Sequence, residues 1–150
     1  MVALGGWILL SMLAGVSGGV ARPDAWYDGI RKPRWNPPHW VFAPAWTVLY
    51  VTMGVAAWMV WSRREEAAVG LALGLFVVQL LFNSAWSWIF FRFRRMDLAF
   101  SELVVMWLLV LATLLAFWSI RPAAGQLLVP YLLWVTFAGY LNLTLWRLNR

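Results

Sequence analysis

The stretch Leu103–Ile120, LVVMWLLVLATLLAFWSI, contains no charge, no glycine and no proline. At about 1.5 Å per helical residue, a run of this length nearly crosses the hydrocarbon core of a bilayer, which takes about 20 residues. Four more uncharged runs flank it: Val2 to Ala21, Trp40 to Ser62, Ala67 to Phe91 and Pro122 to Trp146. None alternates polar and apolar residues, as the strands of a membrane barrel would. Composition agrees. Hydrophobic residues make up 63% of the 150, and charged residues 12%, about half the usual charged share. A water-soluble domain of this size could not hide that much apolar surface. The expected fold is therefore all-α: one integral membrane bundle, residues 1–150, of five transmembrane helices. The spans are expected at about 2–21, 41–62, 67–91, 98–120 and 123–147. The first run lacks the basic start and the cleavage site of a signal peptide, so it is read as a true span.

Basic residues are distributed unevenly. With five spans, Arg63, Arg64 and Arg121 fall on one side. Arg22, Arg31, Lys32, Arg34, Arg92, Arg94, Arg95, Arg147 and Arg150 fall on the other. The positive-inside rule puts the second side, with the C terminus, in the cytoplasm and the N terminus outside. Cations beside anionic lipid account for the net charge of +6, with no need for nucleic acid. Cysteine is absent, which removes disulfides, thiolate metal sites and cysteine nucleophiles.

Three connections are short, so their helices are antiparallel neighbours. The first, residues 22–40, is long for a compact domain, and such loops are often functional. Pro23 to Gly29 reads as a short helix, with Asp24 and Asp28 on one face and Gly29 as a left-handed stop. KPRWNPPHW (Lys32–Trp40) follows. Its prolines predict a stiff, extended strap acting as a lid, and Pro44 is expected in the first turn of the second span. Replacing Pro37 and Pro38 by alanine should then speed ligand release. Pro130 removes the helical partner of the Gln126 carbonyl, which predicts either a bend in the fifth span or a tolerated membrane proline. Gly15/Gly19 and Gly70/Gly74 have helix-packing spacing; the second pair is the expected homodimer contact.

Thirteen tryptophans are the loudest compositional signal. Those near span ends (Trp7, Trp40, Trp61, Trp118, Trp146) fit an interfacial belt. Trp46, Trp86, Trp107 and Trp134 lie deeper, where indoles pack helices or line a cavity. Trp46 and Tyr50 share one helix face, and Gln79, Asn83 and Trp86 share another. Trp134 and Ala138 share a third, with Tyr131 one turn back. Buried amides and phenols require partners across helices or on a ligand. Glu102, one turn into the fourth span, is expected at the interface or paired with Arg94 or Arg95. His39 could ligate haem, but a lone loop histidine is more often a surface residue. No metal cluster, paired carboxylates, phosphate loop or Ser-His-Asp set is present.

Three blocks, WYDGIRKPRWNPPHWVFAPAWTVLY (Trp26–Tyr50), QLLFNSAWSWIFF (Gln79–Phe91) and PYLLWVTFAGYLNLTLWRLN (Pro130–Asn149), carry these features. In this order they resemble the tryptophan-rich sensory protein and translocator protein (TspO, peripheral benzodiazepine receptor) family. The resemblance implies five helices around a pocket, with the long loop as its lid. It implies binding of porphyrins such as protoporphyrin IX and haem, as ligands and not as obligatory cofactors. It also implies binding of synthetic isoquinoline and benzodiazepine-type ligands. Trp46, Tyr50, Asn83, Trp86, Trp134 and Ala138 would be pocket residues, covered by Trp26 and Trp35. Trp46 and Trp134 match indoles linked to light-dependent porphyrin breakdown in some bacterial members, so an enzyme reading stands beside the receptor reading, and a structural or regulatory membrane protein is the third. Leu143 and Thr144 stand where animal members carry the tyrosine of a proposed cholesterol motif, which puts sterol binding in doubt. The helical bundle and its charge bias point to a bacterial cell membrane.

Overall fold

In the computed structural model, residues 2–20, 25–37 and 39–150 are described, with the side chains of 18–20 and 39 left aside. Six α-helices follow one another: α1 (Val2–Val20), α2 (Ala25–Gly29), α3 (His39–Trp61), α4 (Val69–Ser87), α5 (Met96–Ile120) and α6 (Pro122–Asn149). α3, α5, α6, and α4 together with the turn that follows it (Val69–Arg92), are long and apolar enough to cross a membrane; the stretch Val2–Ser17 of α1 is a shorter apolar helix. The outer surface shows what surrounds them. Leu71, Leu81 and Leu133, all in spans, are 72%, 66% and 65% exposed. Apolar exposure on this scale would be a liability in water and is ordinary against lipid. The protein is an all-helical membrane bundle.

α1 packs on α3 and α4, α6 on α3 and α5, and α5 on α4, which closes a ring of five helices. Close approaches fix the first pairing. A Cβ on Gly54 would lie 2.5 Å from the Ile8 backbone, and one on Gly15 would lie 2.5 Å from the Tyr50 ring. Gly15 therefore serves packing within the bundle. Gly70 and Gly74 have nothing within 4 Å and face outward.

Basic residues at the two ends of the bundle join neighbouring elements. At one end Arg63 donates to the Ile120 carbonyl (3.1 Å) and Arg121 to Ser62 Oγ (3.3 Å). At the other, the Asn149 side chain grips the loop: Oδ1 accepts from Arg31 N–H and Nδ2 donates to Arg31 C=O, both at 2.8 Å.

Several local expectations are corrected. α3 begins at His39, so Pro44 lies in the helix interior and the Trp40 carbonyl, at the exposed end, loses its helical donor. α4 ends at Ser87 and continues as a π-helical turn, Trp88–Arg92, before α5. This wider turn, with Arg94 at φ 57°, feeds the chain back into α5. Gly29 is not a left-handed stop: it lies within α2, and no described glycine has positive φ. Lys32 Nζ instead donates to the carbonyls of Asp28 (3.2 Å) and Ile30 (3.3 Å), satisfying the helix end from a side chain. The strap is not fully extended, because Asn36 N–H bonds the Pro33 carbonyl (3.1 Å) and closes a turn at Arg34–Trp35. α6 runs unbroken through Pro130. Arg22, Pro23, Asp24 and Pro38 lie outside the described residues, as do the side chains of Gly19 and His39.

Replacing Gly54 by valine should force α1 off α3 and lower stability by about 1–3 kcal/mol. Gly70→Val should leave the monomer's stability almost unchanged. Thermal unfolding of both variants in detergent checks this.

Candidate functional site: an aromatic cavity inside the bundle

A cavity of about 540 Å³ lies within the ring of helices, toward the end that carries the loop. All six helices contribute to its wall. Of the residues expected there, Trp46, Tyr50, Asn83, Trp86, Trp134 and Ala138 all line it. α3 supplies one aromatic plane, where Trp46 stacks on Tyr50 at 5.5 Å and 25°. α6 supplies a second plane nearly perpendicular to the first, with Trp134 edge-on to Trp46 at 6.1 Å and 89°. Such T-shaped contacts suit the ring quadrupoles and hold both rings rigid.

Behind these rings runs a buried chain of hydrogen bonds across three helices. Tyr50 Oη donates to Asn83 Oδ1 (2.5 Å), Asn83 Nδ2 donates to Tyr131 Oη (2.8 Å), and Tyr131 Oη donates to Gln79 Oε1 (2.7 Å). A second link joins Trp86 Nε1 to Asn142 Oδ1 (2.9 Å), and Asn142 Nδ2 to the Met96 carbonyl (3.0 Å). The polar face expected on α4 thus finds its partners across helices. Gln79 Nε2 and Trp134 Nε1 are buried with no hydrogen-bond partner among the described residues.

The sequence-predicted lid residues sit elsewhere. Trp26 does not line the cavity; it leans edge-on against Phe90 (5.9 Å), with the Arg94 guanidinium 5.8 Å above its ring. Trp35 lies outside as well, stacked on Tyr140 (5.4 Å, 21°) and edge-on to Phe137 (5.8 Å). Among the described loop residues, Tyr27 of α2 is the one that reaches the cavity. It is 2% exposed and packs edge-on against Phe90 and Phe91, and its hydroxyl accepts from Asn36 Nδ2 (3.4 Å). Burial raises its phenol above the ordinary value of 10, so it stays neutral at physiological pH. The π-helical turn brings both Phe90 and Phe91 to the wall.

Sequence reasoning missed Tyr27, Phe42, Phe90, Phe91 and Asn142. Asn142 was within reach of the buried-amide argument: it lies one turn beyond Ala138 on the face that holds Trp134. Trp107 faces away from the cavity and donates to Thr136 Oγ1 (2.8 Å). Glu102 does not pair with Arg94 or Arg95. Its two carboxyl oxygens are buried without a hydrogen-bond partner, and Arg95 is held by Asp97 (3.0 and 3.1 Å). One residue, Met96, separates Arg95 from Asp97, a shorter reach than the two turns to Glu102. Among the described residues, no His, Cys, Asp and Glu group could hold a metal ion.

Residues 7–147 match the family model described as TspO/MBR family. The chain belongs to this family. It is 47% identical over 133 residues to the tryptophan-rich sensory protein of Cereibacter sphaeroides, covering 89% of this chain and 82% of that one. It is 44% identical over 138 residues to Protein CrtK of Rhodobacter capsulatus (91% and 86%). It is 42% identical over 128 residues to the human translocator protein (83% and 75%). All three cavity-bearing blocks of this TspO/MBR family chain, Trp26–Tyr50, Gln79–Phe91 and the α6 block up to Arg147, fall inside the matched region.

Removing the central amide with Asn83→Leu leaves the Tyr50 and Tyr131 hydroxyls without their shared partner in a dry interior. We expect a loss of about 1–3 kcal/mol, read as a lower unfolding midpoint in detergent. Phe76→Leu, in the apolar half of the core, should leave the cavity's hydrogen bonds intact.

Proposed function

We propose that this protein is a membrane receptor and carrier whose cavity takes flat, lipophilic ligands of the porphyrin class, such as protoporphyrin IX and haem. The observation that carries this reading is the cavity wall itself: rigid aromatic planes at right angles, few polar groups, and about 540 Å³ of space. Ligand sites are typically about 300–1,000 Å³, mostly apolar, with a few placed polar groups. A planar macrocycle can lie against Trp46 and Tyr50 with its edge toward Trp134. The cationic loop end, with Arg31, Lys32 and Arg34, suits acidic substituents on such a ring. Synthetic isoquinoline and benzodiazepine-type compounds share the flat, apolar chemistry. The names of relatives, translocator protein and tryptophan-rich sensory protein, agree with a receptor or carrier. In this reading the porphyrin is cargo, and no obligatory cofactor is required. The loop end and the C terminus face the cytoplasm, following the excess of cations there.

One observation favours a second reading. Trp46 touches Tyr50, Tyr131 and Trp134 with ring centroids within 6.3 Å. A cluster of oxidisable rings around a photosensitive ligand can pass electrons during its oxidation by dioxygen in light. Product analysis under light and oxygen separates the two: porphyrin loss at the same rate with an unrelated membrane protein means free photochemistry.

The outward, open faces of Gly70 and Gly74 suit close approach of a second copy, and we propose a homodimer through α4. Gly70→Leu with Gly74→Leu should leave a folded monomer where cross-linking of the parent in membranes gives a dimer.

Titration with protoporphyrin IX, followed by tryptophan quenching, should saturate. The Trp46→Phe, Trp134→Phe double variant should bind at least about tenfold more weakly, equivalent to about 1.4 kcal/mol. Equal affinity in that variant would remove this cavity as the site.

A further inference from the structure

On the outside of the bundle, α5 and α6 leave a second hollow of about 320 Å³ between them. Its floor is Leu103, Val135 and Gly139. Glycine is what gives it depth, since a Cβ on Gly139 would lie 2.8 Å from Leu103 Cδ2. Val104 and Leu108 rise on the α5 side, and Thr136 and Tyr140 on the α6 side. Leu103 and Val135 also line the inner cavity, so the two spaces share one wall but open in opposite directions.

The chemistry of the walls restricts the occupant. Along the groove the polar groups of Trp107 and Thr136 are spent: Trp107 Nε1 donates to Thr136 Oγ1, which donates in turn to the Leu132 carbonyl (2.8 Å). The body of the occupant is therefore apolar. The groove runs along two membrane-spanning helices and faces outward, so the bilayer is its source. From Phe100 to Leu108 it follows about two turns of α5, roughly 12 Å.

The loop-side end differs. Tyr140 there carries the stacked ring of Trp35, and the exposed Arg34 precedes that ring in the strap. Arg147, also exposed, lies two turns beyond Tyr140 on the same face of α6, about 10 Å along the axis. Neither arginine makes an ion pair among the described residues. The nearby acid at the start of α5, Asp97, is already engaged by Arg95. Two free guanidinium groups at the headgroup end of an apolar groove match a phosphate above an acyl chain.

We propose that the α5–α6 groove is a site for one anionic phospholipid, with an acyl chain against Leu103, Val135 and Gly139 and its phosphate between Arg34 and Arg147. The site is separate from the inner cavity, and its fate is independent of what that cavity binds.

The test uses the full chain in nanodiscs made from equal parts phosphatidylglycerol and phosphatidylcholine, with retained lipid counted by native mass spectrometry after release. The parent should retain phosphatidylglycerol at least fivefold over phosphatidylcholine. Val104→Trp and Leu108→Trp each fill the groove from its lipid-facing rim and should cut retention at least fivefold. Leu133→Trp, equally lipid-facing but outside the groove, should not. Arg34→Gln with Arg147→Gln should abolish the preference between headgroups. Equal losses in Leu133→Trp and the groove variants would mean annular lipid only and would overturn the site. Undiminished retention in both groove variants would overturn it as well, and a headgroup preference that survives the double arginine variant would overturn the assigned phosphate contacts.

Discussion

The hydrogen-bond chain Tyr50–Asn83–Tyr131–Gln79 is the constraint on which the interior depends. Between helices in lipid there is no hydrophobic effect to press them together, because acyl tails are as apolar as leucine. Packing and cross-helix hydrogen bonds remain. This chain ties α3, α4 and α6 at one depth near the centre of the bundle. Each bond is worth only about 1–2 kcal/mol at most, but breaking one leaves groups that no water can satisfy. The chain also sets where the cavity stops. On one side of it, Phe76 and Phe117 stack at 5.8 Å and fill the core. On the other, the contacting rings of Trp46, Tyr50 and Trp134 form one wall of the open space.

That space persists because its walls are stiff. A cavity lined by leucines could close by changes of rotamer. Indoles and phenols turn about the same two bonds as leucine, but here each ring is braced by another ring or by a hydrogen bond. Trp86 shows both restraints, stacked on Phe90 at 5.2 Å while its N–H is held by Asn142. The π-helical turn contributes to the same wall: the adjacent Phe90 and Phe91 both line it, from a turn wound wider than the 100° per residue of an α-helix. The loop closes one end through Tyr27 and is pinned to α6 by Asn149 and by Trp35 on Tyr140. The cavity is thus preorganised, which reduces the ordering cost of binding a rigid ligand.

Much of this was legible in the chain, for a physical reason. In lipid, a charge within a span is so costly that uncharged runs mark the helices almost directly. The same cost makes each buried amide or phenol conspicuous, and Gln79, Asn83, Tyr50 and Tyr131 were found that way, while Trp134 stood out as a deep indole. What the sequence hid was geometry set by neighbours. The π-helical turn after Ser87 and the early start of α3 at His39 depend on how the chain enters and leaves the bundle, where helix propensity is weak. The detail of the loop was not legible, because Trp26 and Trp35 were set over the pocket by the resemblance and not by a pattern in the chain. Trp35 instead spends its area on the outer face of α6, and the smaller Tyr27 enters the cavity. Residue size alone does not say which side of a strap faces inward.

Glu102 shows the limit of local pairing rules. Two arginines lie within reach along the chain, and charge alone would bring one to it. Yet Arg95 is taken by Asp97, only two residues away, through a two-pronged contact at 3.0 and 3.1 Å. That geometry is stronger than a single contact and costs less side-chain entropy to hold. Arg94 is drawn the other way, over Trp26, where its cation helps to hold α2 at the loop end. The arginines after α4 thus bind the loop and the start of α5. Close geometry therefore outweighs charge alone: each arginine takes the partner nearest along its path, although the Glu102 carboxyl oxygens are left buried and unpaired among the described residues.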